Sequence, residues 1–77
     1  MPKGFPTCSN RKIESIVRKY AGDPIRSSGS HFTYRSPITR KNFTLPRRVK
    51  DFKTATVKKI LVKDLGLTEE QAISEVN

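Results

Sequence analysis

In two stretches between Gly29 and Pro46, 31–35 and 43–45, the apolar residues fall at every second position, whereas on either side of that block they recur every three or four. A chain patterned this way has to put strands in its middle and helices at its flanks, because side chains alternate across a strand but share a helix stripe only at i, i+3, i+4 and i+7. In His31-Phe32-Thr33-Tyr34-Arg35, Phe32 and Tyr34 fall on one face and His31, Thr33 and Arg35 on the other. Phe43-Thr44-Leu45 alternates again, and Pro46, which lacks the donor a ladder needs, ends it. Ile25 to Ser28 is short and runs into Gly29-Ser30, which suits a first strand entering a tight turn. The reading is a three-stranded antiparallel meander with Phe32, Tyr34, Phe43 and Leu45 on one face, a face that helices must cover.

Two helical stripes are available for that cover. Ile13, Ile16, Val17 and Tyr20 follow a capping Ser9 or Asn10, which predicts a helix over about 10–20, stopped by Ala21-Gly22 and Asp23-Pro24. Val57, Ile60, Leu61 and Leu65 predict a second helix from a Thr54 cap to about Leu65, ended by Gly66 in a left-handed conformation. Thr68-Glu69-Glu70-Gln71 has the form of a capping box, so a short third helix closes the chain with Ala72, Ile73 and Val76 inward. The fold class is α+β in the order α-β-β-β-α, a single domain with a flexible lead-in over 1–8, a core over 9–67 and a C-terminal helix over 68–77. Arg47 to Lys53 is a basic connector.

Charge placement narrows the function. Of the net +9, residues 26–63 carry eleven lysines and arginines against one acid, Asp51, while residues 64–77 carry four acids and no base. A surface built only for solubility interleaves both signs, so a basic middle points first to nucleic acid as partner. Cys8 is the sole cysteine, which excludes an internal disulfide and a thiolate metal centre; it reads as a plain thiol near a loose N-terminus. With one histidine and scattered acids, neither a metal site nor a cofactor is expected. No apolar run reaches the length of a membrane span, so the chain reads as a cytoplasmic protein without a membrane partner.

His31 is the one imidazole, and the alternation turns it outward beside Arg35 on this cationic chain. A lone histidine at a strand start is more often a surface or hydrogen-bonded residue than a catalyst, and spacing alone leaves both readings open. Asp23 and Asp51, the aspartates nearest to it in sequence, are more simply turn or cap residues, which argues against a serine-hydrolase type of triad.

The blocks Gly29-Ser30-His31-Phe32-Thr33-Tyr34-Arg35, Phe43-Thr44-Leu45-Pro46 and Lys53-Thr54-Ala55-Thr56-Val57-Lys58-Lys59-Ile60-Leu61, the last running on to Gly66-Leu67, together resemble the HicA-type toxins. These are small mRNA interferases of prokaryotic toxin-antitoxin pairs whose fold is like that of double-stranded-RNA-binding domains. The resemblance covers most of residues 9–73 and is most specific in the Gly-Ser-His-aromatic block. It implies a metal-independent endoribonuclease with His31 as the catalytic residue, Gly29 and Ser30 shaping the turn that presents it, and a HicB-like antitoxin that covers His31. It departs from the family pattern at Pro46-Arg47-Arg48, where a second histidine often stands, and before the second helix, where a glycine or proline is frequent.

RNA carries its own nucleophile, so a base that removes the 2′-hydroxyl proton is sufficient to start cleavage, and an imidazole takes a proton near neutral pH. Arg35, Arg47 and Arg48 are the candidates for stabilising transition-state charge, and Lys58, Lys59 and Lys63 for binding phosphate. A non-catalytic RNA-binding module explains the charge and topology as well. A DNA-binding helix-turn-helix made of the last two helices is disfavoured by Glu69, Glu70 and Glu75 on its would-be recognition helix.

Overall fold

The computed structural model describes residues 5–77. The elements in chain order are β1 (Cys8–Ser9), α1 (Asn10–Ala21), β2 (Arg26–Ser27), β3 (His31–Arg35), β4 (Asn42–Pro46), β5 (Asp51–Phe52), α2 (Thr54–Lys58, continuing as a wider π-helical stretch over Lys59–Asp64) and α3 (Glu69–Val76). Strands β2, β3 and β4 form the expected antiparallel sheet in sequential order, with Phe32 opposite Leu45 and Tyr34 opposite Phe43.

One face of this sheet is sealed and the other is open. Tyr34 is fully buried, Phe43 and Leu45 nearly so, and Phe32 packs partly buried against them. Tyr34 stacks on Phe43 with ring centres 5.8 Å apart and meets Phe32 edge-on at 6.3 Å. Ile13, Ile16 and Val17 from α1, Val57, Ile60, Leu61 and Leu65 from α2, and Ala72 and Val76 from α3 complete one continuous core.

The helix ends follow the local chemistry. Ser9 caps α1, its Oγ accepting from the Lys12 amide at 3.1 Å, and Thr68 and Gln71 close a reciprocal capping box on α3. Asn10 does not cap; its amide donates to the carbonyls of Pro46 and Val49, both at 2.7 Å, pinning α1 to the end of β4. At α2 the N-cap is Lys53 rather than Thr54, with no side-chain cap bond, so Thr54 is already the first helical residue. A pattern read at 3.6 residues per turn does not reveal the π-helical stretch. Leu65, just past that stretch, donates its amide to the Ile60 carbonyl five residues back at 2.8 Å and is fully buried.

The lead-in and the connector are not what the sequence suggests. The expected flexible segment over 1–8 has its first four residues outside those described, but Phe5 and Cys8 are buried core residues. Cys8–Ser9 pairs antiparallel with Asp51–Phe52, so the basic connector contains a strand, β5, and Cys8 is a buried thiol. Burial pushes that thiol above its ordinary pKa, which disfavours the thiolate. Strands of two residues are too short to carry a period, so neither shows in the sequence pattern.

A close approach fixes the loop between β3 and β4 on the end of α2. The buried Ser36 hydroxyl donates to the Leu65 carbonyl at 2.6 Å and accepts from the amides of Ile38 and Thr39, both at 3.1 Å. Gly66, at φ +96°, lies under that loop; a Cβ there would stand 2.8 Å from methyl groups of Ile38 and Thr39. Gly66→Ala is expected to lower the unfolding free energy by about 1–3 kcal/mol, measured by urea denaturation, because the strained φ and the clash add.

At the other end, Glu75 of α3 accepts from the Tyr20 hydroxyl and from Lys19 Nζ at 2.9 Å, which hold its carboxyl below the usual range. A carboxyl whose pKa is lower folded than unfolded stabilises the fold above the unfolded value of about 4.3, and this contribution is lost as pH falls through the folded value. Glu75→Gln should therefore flatten the loss of thermal stability between about pH 5 and pH 3 relative to the parent protein, measured by calorimetry.

Candidate functional site

The β2–β3 turn presents His31. The Ser28 amide donates to the His31 carbonyl at 2.8 Å, leaving Gly29-Ser30 as a two-residue loop. Gly29 shapes this turn less than its identity suggests: its φ lies outside the left-handed region, and a Cβ would meet nothing within 4 Å. Ser30 acts directly, with Oγ 2.9 Å from His31 Nδ1. The ring is exposed, and this bond occupies Nδ1 and leaves Nε2 to solvent. Ser30 Oγ accepts from Nδ1–H in the neutral ring with its proton on Nδ1 and in the protonated ring, and its hydroxyl donates to Nδ1 in the other neutral tautomer.

Alternation holds along β3, so the open face carries His31, Thr33 and Arg35. Their partners in register, Pro46, Thr44 and Asn42 of β4 and Arg26 of β2 opposite Thr33, lie on the same face. Arg35 is exposed and donates to Asn42 Oδ1 at 3.4 Å. Four residues of strand separate it from His31, about 13 Å at the rise of a β-strand, so the two cannot hold one phosphate oxygen between them. Arg26, absent from the sequence-level candidates, is the nearer cation. Opposite Thr33, it is the diagonal neighbour of His31, at about 7–8 Å between backbones. Only the pairing register, which a two-residue strand does not betray in sequence, could have singled it out.

The other candidates scatter. The Arg47 amide continues the ladder to the Ser30 carbonyl at 2.8 Å, which turns its side chain to the face opposite His31. There its guanidinium lies 4.5 Å over the Phe32 ring and reaches the Ser28 carbonyl at 3.3 Å. Arg47, expected as a candidate for stabilising transition-state charge, is thus set on the other face from the imidazole by one residue of strand parity. Arg48 is exposed. Lys58 is paired with Glu69 at 3.5 Å, so α3 answers part of the basic charge of α2. Lys59 and Lys63 are exposed on α2 without an ion pair among the described residues, flanking a shallow depression with Ala55 and Val62. Among the described residues no helix is long and apolar enough to cross a membrane.

Since Ser30 is exposed and its hydroxyl bonds, among the described residues, only the ring of the adjacent His31, Ser30→Ala should leave global stability within about 0.5 kcal/mol. It should still shift the ring-nitrogen resonances of His31, observed by ¹⁵N NMR, because Nδ1 loses its partner.

A family model described as "HicA toxin of bacterial toxin-antitoxin" matches residues 11–67, a span from the first turn of α1 through β2, β3 and β4 to the close of α2. No curated relative and no solved structure gives a match. The matched span contains the open sheet face and its histidine, and membership brings with it an antitoxin as partner. The chain belongs to the HicA family, the toxins of bacterial toxin-antitoxin systems.

Proposed function

We propose that this toxin is a metal-independent endoribonuclease that cleaves mRNA in the cytoplasm with His31 as general base, and that a HicB-like antitoxin silences it by covering that residue. What supports the reading is one observation: the sole imidazole is exposed on the open face of the sheet, its Nδ1 engaged by Ser30 and its Nε2 without a partner among the described residues, with Arg26 diagonal to it. The basic middle of the chain supplies affinity for a polyanion, and an acidic antitoxin surface would find the same charge.

In the productive state Nδ1–H donates to Ser30 Oγ and Nε2 presents its lone pair. Nε2 takes the proton of a ribose 2′-hydroxyl; the oxygen attacks the adjacent phosphorus as the bond to the 5′-oxygen breaks. The products are a 2′,3′-cyclic phosphate and a 5′-hydroxyl end, and the proton held by His31 is returned to the departing oxygen or to solvent. Because the substrate carries the nucleophile, the route requires no metal. The negative charge that grows on the phosphorane-like transition state is stabilised by Arg26, while Arg35 sits where a neighbouring phosphate of the same strand would lie. Lys59 and Lys63 add phosphate contacts that set affinity rather than chemistry.

His31→Ala, shown to be folded by circular dichroism, is expected to lose at least about 10²-fold in the rate of cleaving labelled RNA in the presence of EDTA. Undiminished cleavage would remove His31 as the base, whereas RNA binding without cleavage by the parent protein would leave a non-catalytic RNA-binding module as the reading. The double change Lys59→Ala and Lys63→Ala should instead reduce the slope of log affinity against log salt by about 0.7 for each phosphate no longer neutralised, with little effect on the bound-state cleavage rate.

A further inference from the structure

We propose that the cleft between the first turns of α1 and the end of the β3–β4 ladder is a guanine-binding subsite for the nucleotide beside the one on which His31 acts. The inference rests on the RNA-cleaving reading and adds to it a base preference. The cleft measures about 280 Å³, near the lower end of small-molecule sites and suited to a single planar ring system. Asn10, Arg11 and Glu14 of α1 form one wall, and Phe32, Pro46 and Arg47 much of the other. The walls are tied together, since the Asn10 amide is committed to the Pro46 and Val49 carbonyls.

Two features suit a nucleobase. The first is planar: Arg47 lies over the half-buried Phe32 ring, a guanidinium-on-aromatic stack that offers a flat cationic surface for a base. The second is a carboxylate where a phosphate-binding surface has no use for one. Glu14 stands in the cleft with Arg11 and Arg47, and its only polar contacts among the described residues are long ones on Oε2, 3.5 Å to the Tyr34 hydroxyl and 3.7 Å to Arg18. Oε1 makes no hydrogen bond among the described residues.

An ionised carboxylate only accepts. Guanine is the base whose Watson–Crick edge sets two donors, N1–H and N2–H, side by side. Adenine and cytosine place an acceptor lone pair beside the donor, and uracil has one donor between two carbonyls. The pairing preference of Glu14 is therefore for guanine.

Register links the cleft to the imidazole. Pro46, part of its wall, is the partner of His31 across the ladder, about 5 Å away between backbones. An RNA strand passing over this end of the hairpin sets a phosphate against His31 on the open face and turns the next base in between Glu14 and the Arg47–Phe32 stack.

The test separates binding from cleavage by using the 5′-monophosphates of the four nucleosides, which offer no bond to cut, titrated into the isotope-labelled full chain and followed by NMR. The guanine nucleotide should bind about tenfold more tightly than the adenine nucleotide, the discrimination of a good bidentate pairing. Its shifts should centre on Glu14, Phe32 and Arg47. Glu14→Gln, which keeps the side-chain shape and an acceptor for Tyr34, should abolish that preference, and Phe32→Leu should weaken all four nucleotides. Equal binding of the four, or shifts confined to Lys59 and Lys63, would overturn the subsite while leaving His31 catalysis intact. A guanine preference that survives together with undiminished cleavage by His31→Ala would uphold the subsite and sink the catalytic reading.

Discussion

Everything on the open face depends on the burial of Tyr34. Its ring is fully enclosed, stacked on Phe43 and edge-on to Phe32, and no other residue of β3 is held so completely. Because a strand cannot bury one parity without exposing the other, enclosing Tyr34 obliges His31, Thr33 and Arg35 to face outward. A slip of one residue in the β3–β4 register would turn the imidazole into the core and the tyrosine into water. The site is in this sense a by-product of packing: the core decides where the histidine points, and Ser30 decides how its ring is turned.

The cover over the inner face is secured at two points far apart in sequence. Ser36 and Gly66 lock the β3–β4 loop to the end of α2, through a buried hydroxyl and a backbone approach that leaves no room for a Cβ. Asn10 locks the start of α1 to the end of β4. α2 carries the wider π-helical turn, with Ile60 and Leu61 buried beneath it; such turns frequently accompany functional surfaces, and here Lys59 and Lys63 are displayed from it. The acidic α3 docks on this frame through Glu75 and Lys19 and through Glu69 and Lys58, so part of the charge asymmetry seen along the chain is neutralised inside the molecule. Among the described residues, Arg26 and Arg35 on the open sheet face and Lys59 and Lys63 on the outer side of α2 are exposed and carry no ion pair.

Much of this is legible without any coordinates. The strands from Phe32 to Leu45 and the stripes on α1 and α2 are read correctly because each buries one face only, and one-sided burial leaves a period in the sequence. The caps at Ser9, Thr68 and Gly66 are legible because a terminal amide or a left-handed φ selects few residue types. The misses share the opposite cause. Strands β1 and β5 have two residues each and no period, so nothing local distinguishes the buried Cys8 from a loose thiol. Arg47 follows the strand that Pro46 ends, which makes it a candidate beside His31, although one step of strand parity puts it on the other face against Phe32.

Sequence alone determined the kind of layers, the outward parity of His31 and the basic character of the middle of the chain, since these follow from local period and composition. Tertiary structure alone decided which charges meet. Arg26 becomes the neighbour of His31, Arg47 stacks on Phe32, Lys58 is answered by Glu69, and Glu14 is set in a cleft with Arg11. Such pairings depend on strand register and on how helices lie across a sheet. Register is set by the sum of core contacts from distant segments, and no local stretch of sequence contains that sum.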